Sequence, residues 1–362
     1  MPDKKILVEQ LRHAASGSSV MPDTLAALAA DSFVFCGMTQ EDAAIGAEVA
    51  VWAQLHGSDS HGAIHLPLYV RGLLDQTIKA RSVLDTTQPM QCCAVIDANH
   101  CLGLVASRRA IDLAIDIAKQ YGLGAVAVRR SSHFGAAGYY AERAAEHGLI
   151  GFAFTNAMPA IAPTGGVEGL FGTNPIGVAF PVPGQDAIIA DMATAVVARS
   201  RIRHALAAGE KSIPEGWALD PAGRPTSDPA VAVKGSLLPI GGPKGYALSL
   251  MVEALCSTLS DAEPGFQVTY ENMVKRPSNI AQFFLVLNPA GFAGSEAYGK
   301  RIAHIADAVK KAKAMEGAEP PRLPGARGHA VNRKARAGGI SVSGNLASAL
   351  KNVAGMIESH PA

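Results

Sequence analysis

The sequence predicts an α/β protein: a largely buried sheet flanked by helices drawn from both ends of the chain. Three observations carry this reading. From about residue 90, apolar runs of strand length alternate with amphipathic stretches of helix length, the pattern of a sheet covered by helices. Residues 1–80 hold few strand signals and read mostly as helix. Residues 301–314 and 344–357 return to helical spacing and can pack back on the N-terminal helices. The expected organisation is a helical domain from residues 1–85 with about 300–362, and an α/β domain over 86–300.

Taken in order, TQEDAAIGAEVAVWAQLH (39–56) opens with Thr39 followed three residues on by Asp42, which fits a capping box, and alanine and valine then recur at helical spacing. CAVIDA (93–98) reads as a strand. SRRAIDLAIDIAKQYG (107–122) reads as an amphipathic helix closed by glycine. GAVAVRR (124–130) is a strand and AGYYAERAAEHG (137–148) a helix. LIGFAFTNA, PIGVAFPVP and AIIADMAT supply three further strands, and helices follow near 194–208 and 244–259.

Composition narrows the function classes. Among 362 residues, 48% are hydrophobic and 17% charged, so a large core can be buried and disorder is excluded. The formal net charge of +1 leaves no basic excess for a nucleic-acid partner. No apolar run reaches the roughly 18 residues of a membrane span, and the first residues lack the apolar stretch of a signal peptide. Five cysteines, an odd number without a CxxC, suit reduced thiols in a cytoplasm.

Five stretches carry chemistry. GSDSHGAIHLPLY (57–69) places His61 and His65 four apart, the spacing of two zinc ligands, with His56 or Asp59 as a possible third. Glycine follows His61 where the zinc-protease word has glutamate, and Pro67 interrupts any long helix. Proton transfer and a hydrogen-bonded polar loop are the other readings. SSHFGAAGYY (131–140) follows a strand, so His133 sits where α/β proteins place ligands, with glycines that admit a ligand to the backbone. The other reading is a capped turn, with Ser132 or His133 as cap of the next helix. Residues 156–183 have no periodicity and read as a binding loop, with Asn156, Thr173 and Asn174 as uncharged donors and acceptors. Asp191 ends the strand IIADMAT, where it can order a ribose hydroxyl or a histidine, or cap a helix. Lys244 opens the apolar helix of PIGGPKGYALSLMVEAL and can meet a phosphate or carboxylate, or be solvated. GLGAVA (122–127) matches the dinucleotide fingerprint, but a helix precedes it and a strand follows, the reverse of what the fingerprint requires. It reads as a turn, so a nucleotide would not bind through an ordinary Rossmann loop. Arg129 and Arg130 can face a 2′-phosphate or the solvent.

SHG followed by HLPLY, SSHFGAAGYY, the loop from Asn156 to FGTNPI, DMAT, LLPIGGPKGYAL and LPGAR (323–327) occur in this order over roughly residues 55–330. As an ordered set they are specific, and the sequence resembles the type-2 malate/L-lactate dehydrogenase family. Its relatives include ureidoglycolate, sulfolactate and diketogulonate enzymes and cyclic imino acid reductases. The resemblance implies a non-Rossmann, sulfolactate-dehydrogenase-like fold, with a helical part from both chain ends and a central α/β part that binds cofactor and substrate. It also implies a cytoplasmic homodimer using NAD or NADP on a small carboxylate substrate, with no metal. His61 would be the proton donor and acceptor, with Ser60 beside it. His133 would be catalytic or part of the nicotinamide pocket, with Phe134, Gly135 and Ala136. Thr173 would meet substrate. Asn156, Asn174, Asp191, Met192, Ala193, Lys244, Pro324 and Gly325 would lie at the cofactor.

Two departures bear on substrate. His65 stands where the family carries an arginine for the substrate carboxylate, and Arg201 stands where some imine-reducing members carry an acid; both are assigned to substrate binding. The expected activity is the NAD(P)-dependent interconversion of a small 2-hydroxy acid and its 2-oxo acid. Adding a proton to oxygen calls for a group that titrates near neutrality, which histidine supplies. Ser60, Thr173 or the second histidine would meet the developing alkoxide. The alternatives are an NADPH-dependent reductase of a pyrroline or piperideine carboxylate, a metal-dependent hydrolase built on His61 and His65, and a binding protein that has kept the fold without the chemistry.

Overall fold

The computed structural model describes residues 2–268 and 275–361, without the side chain of Asp59. Helices α1 (Lys4–Ser16), α2 (Pro22–Phe35), α3 (Gln40–Leu55) and α4 (Leu66–Leu74) occupy the N-terminal part, with a two-residue strand β1 (Ser19–Val20) after α1. The Thr39 hydroxyl accepts the Asp42 N–H and starts α3 where the sequence places its cap. The central segment alternates β2 (Asp85–Met90), β3 (Cys93–Asp97), α5 (Gly103–Tyr121), β4 (Leu123–Ser131), α6 (Ala137–Glu146), β5 (Ile150–Thr155), β6 (Ile176–Phe180) and β7 (Ile188–Met192). There follow α7 (Arg199–Ala207), a small hairpin of β8 (Ala218–Leu219) and β9 (Pro225–Thr226), α8 (Pro229–Ala232), α9 (Pro243–Glu253) and β10 (Ile280–Leu287). The chain ends with α10 (Ser295–Lys311), α11 (Ala326–Gly338), β11 (Ile340–Ser341) and α12 (Gly344–Ser359).

Seven strands form one sheet in the order β2-β3-β4-β10-β5-β6-β7. Only β3 and β4 pair in parallel; the other neighbours are antiparallel. The central strand β10 arrives last in the chain, and its apolar residues Ile280, Ala281, Phe284 and Val286 are buried. The alternation read from the sequence stops short of it. The signal was present as IAQFFLVL between Pro277 and Asn288–Pro289, but it stands far from the strands that it joins.

The register places the site. Ile280 at the start of β10 faces Ser131 at the end of β4, and Gln282 faces Thr155 at the end of β5. Phe154 in β5 faces Ile176 at the start of β6, which in turn faces Met192 at the end of β7. One edge of the sheet therefore gathers the segments that follow β4, β5 and β7 and precede β6. Helices α5 and α6 pack on the sheet, and α9 with the helical turn Ala254–Thr258 that continues it packs Val252 and Cys256 against Phe154, Ile176 and Ala281.

The chain ends meet: α1 packs on α12, and β1 pairs with β11 through Ser19–Ser341 and Val20–Ile340. One cluster of buried side chains runs from these helices through α3 to β3, β4 and α5, so the first loop after α3 is set against the sheet edge. Among the described residues, no helix is long and apolar enough to cross a membrane.

Candidate active site

The loop after α3 folds as two successive 3-10 turns, Asp59–His61 and Ala63–His65, before α4 begins at Leu66 with Pro67 in its first turn. Gly62 joins the turns. A Cβ there would lie 2.6 Å from the Gln54 side chain and 3.0 Å from the Ala50 carbonyl, so only glycine lets the loop approach α3 this closely. The turns bring His61 and His65 toward His133, which follows β4. The His61 and His133 rings lie 5.8 Å apart and nearly parallel, and His65 lies 4.9 Å from His133.

Each ring is held. Ser60 Oγ is 2.8 Å from His61 Nδ1. His65 donates from Nε2 to the Ser60 carbonyl at 2.8 Å. His133 Nδ1 is 2.7 Å from the Tyr69 hydroxyl and 3.4 Å from the Gly135 N–H. An amide N–H only donates, so Nδ1 is an acceptor, Tyr69 donates to it, and the neutral ring carries its proton on Nε2. Tyr69 was not singled out in the sequence; its place four residues after His65 on α4 was the only hint.

Burial dominates the electrostatics. It pushes His61 down to about 4, with the charge of His65 adding to the effect. It lowers His65 as well, against the carbonyl bond from Ser60. His133 lies well below its ordinary value, first through burial and then through the other two imidazoles. All three rings are therefore neutral at pH 7. Burial raises the Tyr69 phenol, which stays protonated.

A cleft of about 300 Å³ opens on this cluster. Its walls include Ser58, Ser60, His61, His133, Phe134, Gly135, Ala136, Asn156, Thr173, Asp191, Met192 and Ala193. It is lined mainly by uncharged groups, and Asp191 is the only carboxylate among those described. Asp191 opens to the cleft yet is ringed by protein, which pushes its carboxyl up to about 6 against a hydrogen bond from the Gly138 N–H. Gly138 has no room for a side chain: a Cβ would lie 2.8 Å from the Asp191 carboxylate and 2.9 Å from Trp52. The carbonyl of Thr173 accepts from the Thr194 N–H and hydroxyl, which fixes the backbone of the GTNP turn.

Other expected residues stand behind or beside the cleft. His65 does not line it. Asn174 is fully buried; its Oδ1 accepts the Ala157 N–H, and its Nδ2 donates to the Ser249 carbonyl and to Glu253. Asn156 Nδ2 also donates to Glu253, and its Oδ1 accepts the Ala281 N–H. The buried carboxylate of Glu253, which further accepts the Gly265 N–H, is thus the anchor of both asparagines. It lies within the apolar stretch SLMVEAL, where its only local cue is one acid on a buried face. Pro324 accepts the Ile189 N–H and Gly325 packs on Ile189, so this turn braces β7 two residues before Asp191. Lys244 is exposed in the first turn of α9. Arg201 is exposed in the first turn of α7, whose cap Ala198 lines the cleft. Arg129 and Arg130 both pair with Asp97.

A metal centre on His61 and His65 has no ligand set here. One ring nitrogen of each histidine is engaged by Ser60 and Nδ1 of the neighbouring His133 by Tyr69, and among the described residues their donor atoms do not converge into a ligand group.

A nicotinamide dinucleotide fits the cleft on one structural observation. Helix α6 begins at the cleft, with its Gly138 N–H held by the Asp191 carboxylate, beside a backbone that turns at Gly135 with φ of 80°. A carboxylate at the end of a strand suits a ribose hydroxyl, and the otherwise uncharged lining described suits a nicotinamide ring.

The family model described as malate/L-lactate dehydrogenase matches residues 20–351. The chain is 39% identical over 317 residues to the L-sulfolactate dehydrogenase of Methanocaldococcus jannaschii, covering 88% of this chain and 91% of that one. It is 39% identical to the (2R)-3-sulfolactate dehydrogenase (NADP(+)) of Chromohalobacter salexigens, covering 86% and 90%. Among solved structures, the sulfolactate dehydrogenase from Methanocaldococcus jannaschii superposes with a TM-score of 0.87 at 37% identity, over 94% and 97% of the two chains. A delta1-piperideine-2-carboxylate reductase from Pseudomonas syringae superposes at 0.81 and 30% identity, over 93% and 100%. The chain belongs to the malate/L-lactate dehydrogenase family.

Proposed function

We propose that the protein is an NAD(P)-dependent dehydrogenase that interconverts a small 2-hydroxy acid and its 2-oxo acid. The observation that carries the proposal is the pair of neutral imidazoles, His61 and His133, stacked 5.8 Å apart on the wall of a largely uncharged cleft. The cofactor, when bound, accepts or supplies the hydride. Phe134, Gly135, Ala136, Asn156, Asp191, Met192 and Ala193 would hold it, with the start of α6.

The chain's own residues handle the proton. His61 keeps Nδ1 on Ser60, and no protein partner engages Nε2 among the described residues, so Nε2 accepts the proton of the substrate hydroxyl during oxidation. With Nδ1 donating, Ser60 Oγ stabilises the imidazolium that forms. In the reverse direction His61 returns the proton to the oxygen. His133, with Nδ1 occupied, presents an Nε2–H donor to the same oxygen. Thr173 lines the cleft as a further donor. His65 sets the loop from behind. The substrate carboxylate then falls to Ser58, to first-turn amides, or to Arg201 reaching in from α7.

The likeness to the piperideine carboxylate reductase supports a second reading, reduction of a cyclic imino acid in the same cleft. One experiment separates the two: a panel of 2-oxo acids and cyclic imines followed by NADH and NADPH absorbance. Turnover of an oxo acid such as oxaloacetate or pyruvate with no imine reduction is expected. The reverse preference establishes the second reading, and nucleotide binding without turnover of either class defeats both. The homodimer implied by the resemblance is checked on the same protein by sedimentation.

A further inference from the structure

Away from the cleft, three helices bring a second set of donors together. His56 caps the C-terminus of α3, Glu142 lies in α6 and His329 lies in α11. One donor atom from each converges so that all lie within 4.8 Å of one another. His56 Nε2 is 3.7 Å from Glu142 Oε2, and His329 Nδ1 is 3.7 Å from Glu142 Oε1. These spacings are too long for hydrogen bonds. They are close to the roughly 3.4 Å that separates two ligands around a tetrahedral zinc with bonds of about 2.0–2.1 Å.

The other nitrogen of each ring is already engaged. His56 Nδ1 donates to the Trp52 carbonyl at 2.9 Å, and His329 Nε2 donates to the Ala187 carbonyl at 2.9 Å. This is how metal-binding histidines are oriented, with one N–H held by a carbonyl and the opposite lone pair turned to the ion. Trp52 stacks on His56 with centroids 4.0 Å apart, and its Nε1–H donates to Glu142 Oε2. The side chains are nearly buried, with 6%, 16% and 8% of His56, Glu142 and His329 exposed. Among the described residues, and apart from Trp52, Asn332 reaches a donor atom, with its Nδ2 3.4 Å from His56 Nε2. The Asn332 amide oxygen is itself held by Arg336.

We propose that His56, Glu142 and His329 form a structural zinc site that ties α3, α6 and α11 together. Two imidazoles and a carboxylate suit zinc, and water would complete the four ligands. The site is separate from the substrate cleft: it shares none of the cleft's histidines. His329 does hold the residue that precedes β7, and that strand ends at Asp191.

The test starts from protein stripped with a chelator and titrated with zinc, and separately with cobalt as a spectroscopic stand-in. Expected are one equivalent of zinc with Kd below about 10 μM, a raised Tm, and a cobalt spectrum of nitrogen and oxygen ligands without thiolate absorption. His56→Gln and His329→Gln should each weaken binding at least 100-fold, while Cys93→Ser leaves it unchanged. X-ray absorption on the zinc-loaded wild type, showing two imidazoles and a carboxylate, keeps the proposal testable if either variant fails to fold. No binding below 100 μM, a thiolate signature, or affinity retained in both glutamine variants overturns it.

Discussion

The Tyr69 hydroxyl, on a fully buried ring, lies 2.7 Å from Nδ1 of His133, whose ring reaches from the core to the cleft wall. This contact fixes the tautomer of His133 and therefore what Nε2 can do. In Tyr69→Phe the ring still fills its space, but Nδ1 keeps only the long contact from Gly135. A buried acceptor without its partner costs about 1–3 kcal/mol, which urea unfolding will show. Protonation of His133 also becomes easier, so kcat should fall about tenfold and the acid limb of the pH profile should move up. A lower stability with an unchanged profile would reduce Tyr69 to a packing residue.

His61→Ala should lower kcat by about 10² to 10⁴ while nucleotide affinity changes little, because the loss is that of a positioned acid–base group. Its pH behaviour follows from its environment. Burial holds the folded-state value near 4, below the ordinary 6.5. The base is thus present above about 4 and lost as pH falls through it. In hydroxy-acid oxidation, kcat/KM of the wild type should show no loss of a base between pH 8 and 5.5. A limb centred near 6.5 would mean that an unperturbed histidine does the work.

Gly138→Ala tests the cleft from the side of α6. The added methyl would press on Asp191 at 2.8 Å and on Trp52 at 2.9 Å. The helix start and the carboxylate must then separate. Nucleotide affinity should drop at least tenfold by fluorescence titration, with a folded protein by circular dichroism. Unchanged affinity would place the cofactor away from Asp191.

Glu253→Gln tests the anchor under the cleft. Both carboxylate oxygens accept: Oε1 from Asn156 and Gly265, Oε2 from Asn174. Wherever the new amide nitrogen sits, it faces a donor. A loss of about 1–3 kcal/mol in stability is expected, with weaker nucleotide binding because Asn156 lines the cleft. Full stability would show that the asparagines are held by their other bonds.

The parts of this site that were legible in the sequence are those whose signal is local. Thr39 caps α3, glycine ends α5, His133 follows the strand β4, and Asp191 stands near the end of the apolar strand β7. The order of short words carried the family, because each word is a loop at one edge of one sheet. What was not legible depends on distant pairing. β10 joins β4 to β5 only after a long excursion of chain, and Glu253 earns its place only when Asn156 and Asn174 arrive from another strand pair. Gly138 is among the glycines read from the sequence as admitting a ligand to the backbone; the approach of Asp191 and Trp52 to it, and of Gln54 to Gly62, shows what excludes anything larger.

His65 is where local reading and geometry part most clearly. As the occupant of a position where relatives carry arginine, it would have to offer a substrate carboxylate a positive charge. A histidine near its ordinary value would make KM rise with pH through about 6 to 8. In the folded protein, however, Nε2 of His65 donates to the Ser60 carbonyl, the ring packs on His133, and burial lowers its affinity for a proton. The lowered value makes the ring a weaker cation than an ordinary histidine and its Nε2–H is already engaged by Ser60, so KM for a carboxylate substrate should not follow a His65 titration between pH 6 and 8. His65→Gln should then act through the loop: without the Ser60 carbonyl bond, Ser60 and His61 lose their support, and kcat falls more than KM rises. Arg201→Ala is the companion variant. If Arg201 supplies the missing charge, KM for oxo acids should rise at least tenfold with kcat nearly unchanged. A KM that climbs through pH 6 to 8 in the wild type, and flattens in His65→Arg, would return the carboxylate to His65 and require the ring to leave Ser60 when substrate binds.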